Sequence, residues 1–216
     1  MKKIILMMCL LVGFVGIANS IYAAPMKCKM QCSRCSKPQI EFGKAMRVLW
    51  EDHIIYTRNY IISALADLPD ADAVAKRLLK NQDDIGNAIK PYYGNDAGTK
   101  LSVLLCEHIM IAADVVKAAK MNDSKSLKSA QEKWQDNAME IAVFLSSANP
   151  NWSKDDLQQM LLMHLDLTTG EVTARLQKDW NSDIDFFDKG QAHMLKFADV
   201  LSEGIIKQFP DKFMRA

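Results

Sequence analysis

Three histidines occupy equivalent places in this sequence and are the residues best suited to chemistry. His53, His108 and His164 lie in the segments VLWEDHI, VLLCEHI and QMLLMHL, which align without gaps at spacings of 55 and 56 residues. Each falls on an apolar stripe with steps of three and four residues, which indicates one face of a helix. Three neutral imidazoles suit zinc or another late divalent metal and leave a fourth position for water or a carboxylate. The pattern therefore predicts a metal site for zinc, copper, iron or manganese.

Carboxylates elsewhere in the sequence are candidates to complete this site. Asp188, on the last predicted helix, is the first candidate for the fourth ligand. Glu51 and Glu107 are alternatives that could instead orient the imidazoles by accepting a hydrogen bond from the second ring nitrogen. If the metal carried a water molecule, the same site could support hydrolytic chemistry, so an enzyme is one of the functions the sequence leaves open.

Three further side chains are expected close to the histidines. Thr57 and Thr168 each lie one helical turn after a histidine and are expected to line the same cavity. Arg58 could hold an anionic ligand through a bidentate contact. Without a metal, this group of residues would form a pocket for a small ligand.

A plain packing explanation competes with the metal site. In it, each histidine donates a hydrogen bond within a polar layer of the core, and this layer fixes the register between helices without binding anything. His193, the fourth histidine of the mature chain, falls beside the stripe of the last helix and is expected at the surface or at the boundary of the core.

Six helical segments are predicted to position these residues, separated by proline, glycine and asparagine–aspartate turns. The first two span about residues 38–67 and 71–90, the third runs from a cap at Asp96 to a stop at Asn122, and the fourth runs from there to Ser147. The fifth follows a cap at Ser153 and includes Leu157 to Val172, and the sixth is capped by Asn181 or Ser182 and closed by Phe209. No segment alternates as a strand does. We therefore expect an all-α bundle of about six helices, and the repeat of the histidine segments fits three αα-hairpins.

The first 23 residues have the features of a removable signal peptide. A basic start is followed by an apolar run over residues 4–17 and by small residues before Ala23, and the run is too short to span a bilayer. We expect a periplasmic or secreted protein with no membrane span after cleavage. Residues 39–213 then form a single bundle domain. Removing the peptide changes the net charge from +1 to −1, and the mixed charges argue against a nucleic-acid partner.

A cysteine-rich arm over residues 24–38 separates the signal peptide from the bundle. It carries Cys28, Cys32 and Cys35, with Met26 shortly before the first cysteine and Met30 between the first two. An exported protein is exposed to oxidation, so a disulfide is the favoured expectation, with Cys106 as one further candidate partner. The alternative is an arm that binds a soft metal such as Cu(I).

Motifs along residues 49–210 carry a resemblance to a known family. They are LWEDH at 49–53 with Thr57 and Arg58, PYYG at 91–94, HIMIA at 108–112, KW at 133–134 with Asn137, NPNW at 149–152, His164 with Thr168, and GIIKQFP at 204–210. With these motifs the chain resembles a family of uncharacterised exported bacterial helical proteins, some of which carry the names glycosyltransferase or acetylglutamate kinase. The resemblance implies an exported helical protein and no established activity, and no motif in the chain matches either enzyme name. The cysteine-rich arm is not part of it.

Two functions therefore remain at the level of sequence. The first is an exported bundle that binds a metal ion or small ligand through its core histidines. The second is a secreted structural or interaction protein, or an effector, whose histidine layer is purely structural.

Overall fold

Residues 35–214, which the computed structural model describes, form six α-helices and a final 3₁₀ turn. The helices are α1 (Lys37–Leu65), α2 (Ala71–Tyr93), α3 (Asn95–Lys120), α4 (Ser124–Ala148), α5 (Lys154–Leu176) and α6 (Trp180–Gln208), and the turn is Pro210–Phe213. The all-α bundle is therefore confirmed. The predicted signal peptide and residues 24–34 of the cysteine-rich arm lie outside the described residues. No helix between residues 35 and 214 has the length and apolarity needed to cross a membrane.

The backbone repeats at the spacing seen in the sequence. Asp67, Asn122 and Lys178 are the non-glycine residues of the described chain with positive φ, at 53°, 54° and 59°, and they follow α1, α3 and α5. A left-handed residue directly after a helix is a common way to end it. Because these residues are 55 and 56 positions apart, the structure consists of three αα-hairpins, α1–α2, α3–α4 and α5–α6.

Three helix starts differ from the sequence prediction. The α3 helix begins at Asn95 directly after Gly94, so the prediction of Asp96 as its cap is wrong and Asp96 lies in its first turn. The α6 helix is capped by Asp179, whose side chain accepts a hydrogen bond from the backbone of Ser182, so the prediction of Asn181 or Ser182 as the cap is wrong. The α1 helix begins at Lys37, because Ser36 and Gln39 form a reciprocal capping box. The last residues assigned to the arm therefore belong to the bundle.

The three hairpins close into a ring. Each helix packs against the next along the chain, and α1 packs against α6. Arg47 of α1 pairs with Asp199 of α6 at 2.7 Å, and the Ser36 hydroxyl donates to the carbonyl oxygen of Phe213 at 2.8 Å. In addition, α3 contacts both α1 and α5, so the first, third and fifth helices lie toward the centre of the ring.

Equivalent residues of the three inner helices meet in layers. From one end of the inner helices to the other, the layers are Met46, Leu101 and Leu157; Trp50, Leu105 and Leu161; His53, His108 and His164; Thr57, Ala112 and Thr168; and Ile61, Val116 and Val172. All of these except the half-buried Ala112 are buried. The histidines therefore form a buried polar layer between the apolar layer of Trp50, Leu105 and Leu161 and the layer of Thr57, Ala112 and Thr168.

Two glycines allow α2 and α3 to cross closely. A Cβ atom on Gly86 would lie 2.5 Å from the carbonyl oxygen of Gly98, and a Cβ on Gly98 would lie 2.6 Å from the carbonyl oxygen of Gly86. These contacts involve backbone atoms, which cannot move aside without separating the helices. The crossing therefore requires glycine at both positions.

Replacing Gly86 with alanine is expected to destabilise the protein by about 1–3 kcal/mol, because overpacking outweighs the better helix propensity of alanine. Gly43→Ala is the matched control, since a Cβ at Gly43 of α1 would meet nothing within 4 Å. That variant should gain up to about 1 kcal/mol. Urea unfolding of both variants measures the difference, and equal midpoints would contradict the close crossing.

Candidate functional site

The histidine layer is a cluster of buried imidazole rings at the centre of the bundle. His53, His108 and His164 are 2–3% exposed. The ring centroids of His53 and His164 are 5.4 Å apart, and those of His108 and His164 are 5.9 Å apart. The ring of His164 therefore contacts the rings of both His53 and His108.

His108 has hydrogen-bond partners on both ring nitrogens. The indole Nε1–H of Trp134 donates to Nε2 of His108 at 3.0 Å, and Nδ1 lies 2.7 Å from Oδ1 of Asn137. Because an indole can only donate, Nε2 carries the lone pair and Nδ1 carries the hydrogen that Asn137 accepts. This ring is therefore neutral and has no free lone pair in the plane of the ring.

His53 is held more loosely by an amide of α2. Its Nδ1 lies 3.4 Å from Oε1 of Gln82, whose amide nitrogen donates to the carbonyl oxygen of Leu78. The neighbouring Asn81 donates to the carbonyl oxygen of Leu49 at 2.9 Å. These two amides connect α2 to α1 beside the histidine layer.

His164 has a buried ring nitrogen that finds no partner within residues 35–214. Its Nδ1 is inaccessible to solvent and forms no hydrogen bond with any of these residues. A buried nitrogen that lacks a partner destabilises the folded state by about 1–3 kcal/mol, so this atom calls for a functional explanation. It is the most unusual feature of the layer.

All three histidines are neutral at pH 7. Burial is the main cause, and it lowers the pKa of His53 to about 3 and that of His108 to about 4. Burial, reinforced by repulsion from His53, His108 and His193, lowers the pKa of His164 well below its usual value. Neutral imidazole is the form that binds metal ions and the form that fits a neutral polar layer.

A small cavity adjoins the histidines in the layer of Thr57, Ala112 and Thr168. Its volume is about 20 Å³ and its lining is almost entirely apolar. Both threonine hydroxyls donate to the carbonyl oxygen of the histidine one turn earlier, at 2.7 and 2.9 Å. Thr57 and Thr168 line this cavity, whereas none of the three histidines is among its lining residues, and the threonine hydroxyls are occupied by the backbone. A cavity of this size holds at most one water-sized molecule.

Arg58 belongs to a buried network of four charges. Its guanidinium donates to Glu171 at 2.7 Å and to both carboxylate oxygens of Asp183 at 3.0 and 3.2 Å. Arg175 also donates to Asp183, at 2.7 Å. Burial raises the pKa of Glu171 to about 7 although Arg58 opposes the shift. Arg58 therefore donates from Nη1 and Nη2 to carboxylates of the protein, and its role in holding an anionic ligand stays a prediction.

The predicted carboxylate ligands lie apart from the imidazoles. Asp188 and Glu107 are exposed, while Glu51 accepts a hydrogen bond from Gln191 at 3.2 Å. The structure thus does not bring Asp188 into the buried cluster. Across residues 35–214, no set of three histidine, cysteine or acidic side chains has the arrangement that would hold a metal ion.

The two cysteines of the described chain are not bonded to each other. Cys35 is exposed and Cys106 is half-buried, and both are free thiols. Cys35 therefore does not form the predicted disulfide between the arm and Cys106. The other two cysteines of the arm, Cys28 and Cys32, lie outside the described residues. Burial, with the nearby charges of Asp83 and Glu107, raises the pKa of the Cys106 thiol, which makes it less reactive.

The partners of the histidines were not predicted from the sequence, although a signal for them exists. Gln82 follows His53 by 29 residues and Asn137 follows His108 by 29 residues. The same step from His164 leads to His193. When the repeat of the odd-numbered helices is extended to the even-numbered ones, it predicts Gln82, Asn137 and His193 as equivalent residues.

Comparison with family models, curated proteins and solved structures finds no match to this chain. The family resemblance of residues 49–210 therefore stays a prediction.

Proposed function

We propose that this chain is an exported helical-bundle protein that binds a transition-metal ion, or another small ligand, at its buried histidine layer. The observation that carries the proposal is the unpartnered Nδ1 of His164, which lies in a ring that contacts the rings of His53 and His108. Export is supported by the signal-peptide pattern of the first 23 residues.

The chemistry of the layer supports a metal as the ligand. Neutral imidazoles bind zinc, copper and iron well, and burial keeps these rings neutral well below pH 7. His108 is already hydrogen-bonded on both nitrogens, so His53 and His164 are the rings with capacity for a ligand. Fewer than three protein ligands would leave coordination positions for water or for an exogenous group.

Protein prepared without chelators is expected to contain about one metal ion per chain, and adding zinc, copper, iron or manganese to the metal-free protein should raise its melting temperature. His164→Gln should abolish both effects, because it removes the unpartnered nitrogen. Elemental analysis and thermal-shift assays measure them.

Asp188→Asn is the control for this experiment and should leave the metal content unchanged, because its carboxylate is exposed. A wild-type protein that contains no metal and responds to none of the four ions would exclude the metal version of the proposal.

A second candidate is a secreted structural or interaction protein in which the histidine layer only fixes helix register. The complete pairing of His108 with Trp134 and Asn137 favours it. Under this function, replacing the histidines lowers stability and leaves partner binding intact. The metal assays above separate the two functions.

A further inference from the structure

The polar contacts beside the histidine layer repeat in all three hairpins. In each, a side chain of the even-numbered helix donates to the carbonyl oxygen of the residue four positions before the histidine. These bonds are Asn81 to Leu49 at 2.9 Å, Asn137 to Leu104 at 3.1 Å and His193 to Met160 at 2.7 Å. His193 therefore makes in the third hairpin the carbonyl contact that an asparagine makes in the other two.

The third hairpin lacks the contact that the other two make with Nδ1 of the histidine. In the first two hairpins, an amide oxygen faces Nδ1 of the histidine, from Gln82 at 3.4 Å and from Asn137 at 2.7 Å. The corresponding position of the third hairpin holds an imidazole, and Nδ1 of His164 has no partner. The departure from the repeat and the unpartnered atom thus occur at the same place.

The hydrogen bond of His193 fixes which of its nitrogens is available. Its Nε2 faces a carbonyl oxygen, so this nitrogen carries the hydrogen, and the neutral ring has its lone pair on Nδ1. Metal-binding histidines typically donate their other ring N–H to a backbone carbonyl in this way. His193 is half-buried, whereas His164 is buried, so His193 stands between solvent and the layer.

We propose that the third hairpin is where the ligand enters and binds, with a transition-metal ion held by Nδ1 of His164 and by the ring of His193. This proposal rests on the proposed function and places the metal-binding site at one pair of residues, His164 and His193. His53 and His108, which have amide partners, position the ring of His164 from the other side. Two protein ligands leave room for water or an exogenous ligand on the metal, which agrees with the lack of a three-residue site between residues 35 and 214.

The deciding variant is His193→Asn, which copies Asn137 of the second hairpin. The asparagine can donate to the carbonyl oxygen of Met160 and accept from Nδ1–H of His164, as Asn137 does for Leu104 and His108. Metal-free H193N is therefore expected to melt about 2–4 °C above the wild type. Its affinity for Co²⁺ and Zn²⁺ should fall at least about tenfold, because it loses a ligand.

Titration of the chelator-treated full chain with Co²⁺, followed by visible absorbance and by Zn²⁺ competition, measures these affinities. Gln191→Asn is the control on the same helix, because Gln191 bonds to Glu51 outside the layer. ¹⁵N NMR of the histidine rings tests the site without any substitution. Zn²⁺ should shift the resonances of His164 and His193 and leave those of His108 in place.

These experiments distinguish failure of the His164–His193 site from failure of the proposed function. If wild-type protein binds the metal and H193N binds it equally well, the entry site is wrong while the histidine layer remains the binding site. NMR shifts confined to His53 and His164 would overturn it in the same way. If the wild type binds neither Co²⁺ nor Zn²⁺ and also fails the four-metal test above, the metal version of the proposed function fails, and the His164–His193 metal site fails with it.

Discussion

Lowering the pH from 7.5 to 5 is expected to destabilise the metal-free protein by about 4 kcal/mol, and the buried histidines cause this loss. Their pKa values in the folded state are about 3 for His53, about 4 for His108 and well below 6.5 for His164, against 6.5 in the unfolded chain. Below pH 6.5 the unfolded state therefore binds more protons than the folded state, and stability falls with pH. At pH 5 each histidine contributes a loss of about 2 kcal/mol, or about 6 kcal/mol in all.

Glu171 acts in the opposite direction over the same range. Its pKa is about 7 in the folded state and 4.5 in the unfolded chain. Between these values the folded state binds more protons, so acidification stabilises the protein through this group by about 2 kcal/mol. The expected net loss is the difference between the two effects.

Urea unfolding at a series of pH values in the presence of EDTA measures this dependence. Glu171→Gln should steepen the loss to about 6 kcal/mol, because it removes the opposing group, and His164→Gln should reduce it by about 2 kcal/mol. Stability that stays level between pH 7.5 and 5 in all three proteins would show that the histidines are not buried in their neutral form.

Asp183→Ala is expected to lower stability by about 3–5 kcal/mol, which is a large part of the 5–15 kcal/mol typical of a domain. The Asp183 side chain is 3% exposed and neutralises Arg58 and Arg175, whose side chains are 17% and 19% exposed. Without it, two largely buried guanidinium groups share Glu171 alone, whose raised pKa makes it a poor counter-ion at neutral pH. The network also joins α1 to α6, so the loss weakens the contact that closes the ring.

The chain offers a closely matched control for this prediction. Asp199 of α6 also pairs with an arginine of α1, but the Arg47 and Asp199 side chains are 47% and 42% exposed. Solvent screens such a pair, so Asp199→Ala should cost less than about 1 kcal/mol. The shifts in urea midpoint of the two variants give the comparison, and similar shifts would mean that burial does not decide the strength of these pairs.

The histidine layer was predictable because its signal lies within single helices. Apolar steps of three and four residues place His53, His108 and His164 on inward faces, and the spacings of 55 and 56 residues place them at the same depth. Sequence pattern alone thus fixes which rings meet. It does not fix which nitrogen of each ring is free, because that depends on amides contributed by other helices.

The sequence pattern did not predict which acidic residue of α6 faces the core. Asp188 and Asp183 are both acidic residues of the α6 segment, but the predicted ligand Asp188 is exposed whereas Asp183 is buried. Which of them faces the core depends on the rotation of α6 about its axis, set by packing of Met194 and Phe197 and by the start of the helix at Trp180. The predicted cap at Asn181 or Ser182 was wrong by two to three residues, and one residue rotates a helix face by about 100°.

The contact between α1 and α6 gives the three hairpins a property that a linear array of repeats lacks. In an open solenoid the first and last repeats have one neighbour each, need polar capping repeats and fray first. Here every hairpin is flanked on both sides, by means of Arg47 with Asp199, Arg58 with Asp183, and Ser36 with Phe213. No hairpin is therefore terminal, and the third one can carry an unpartnered nitrogen in its core because both of its neighbours hold it in place.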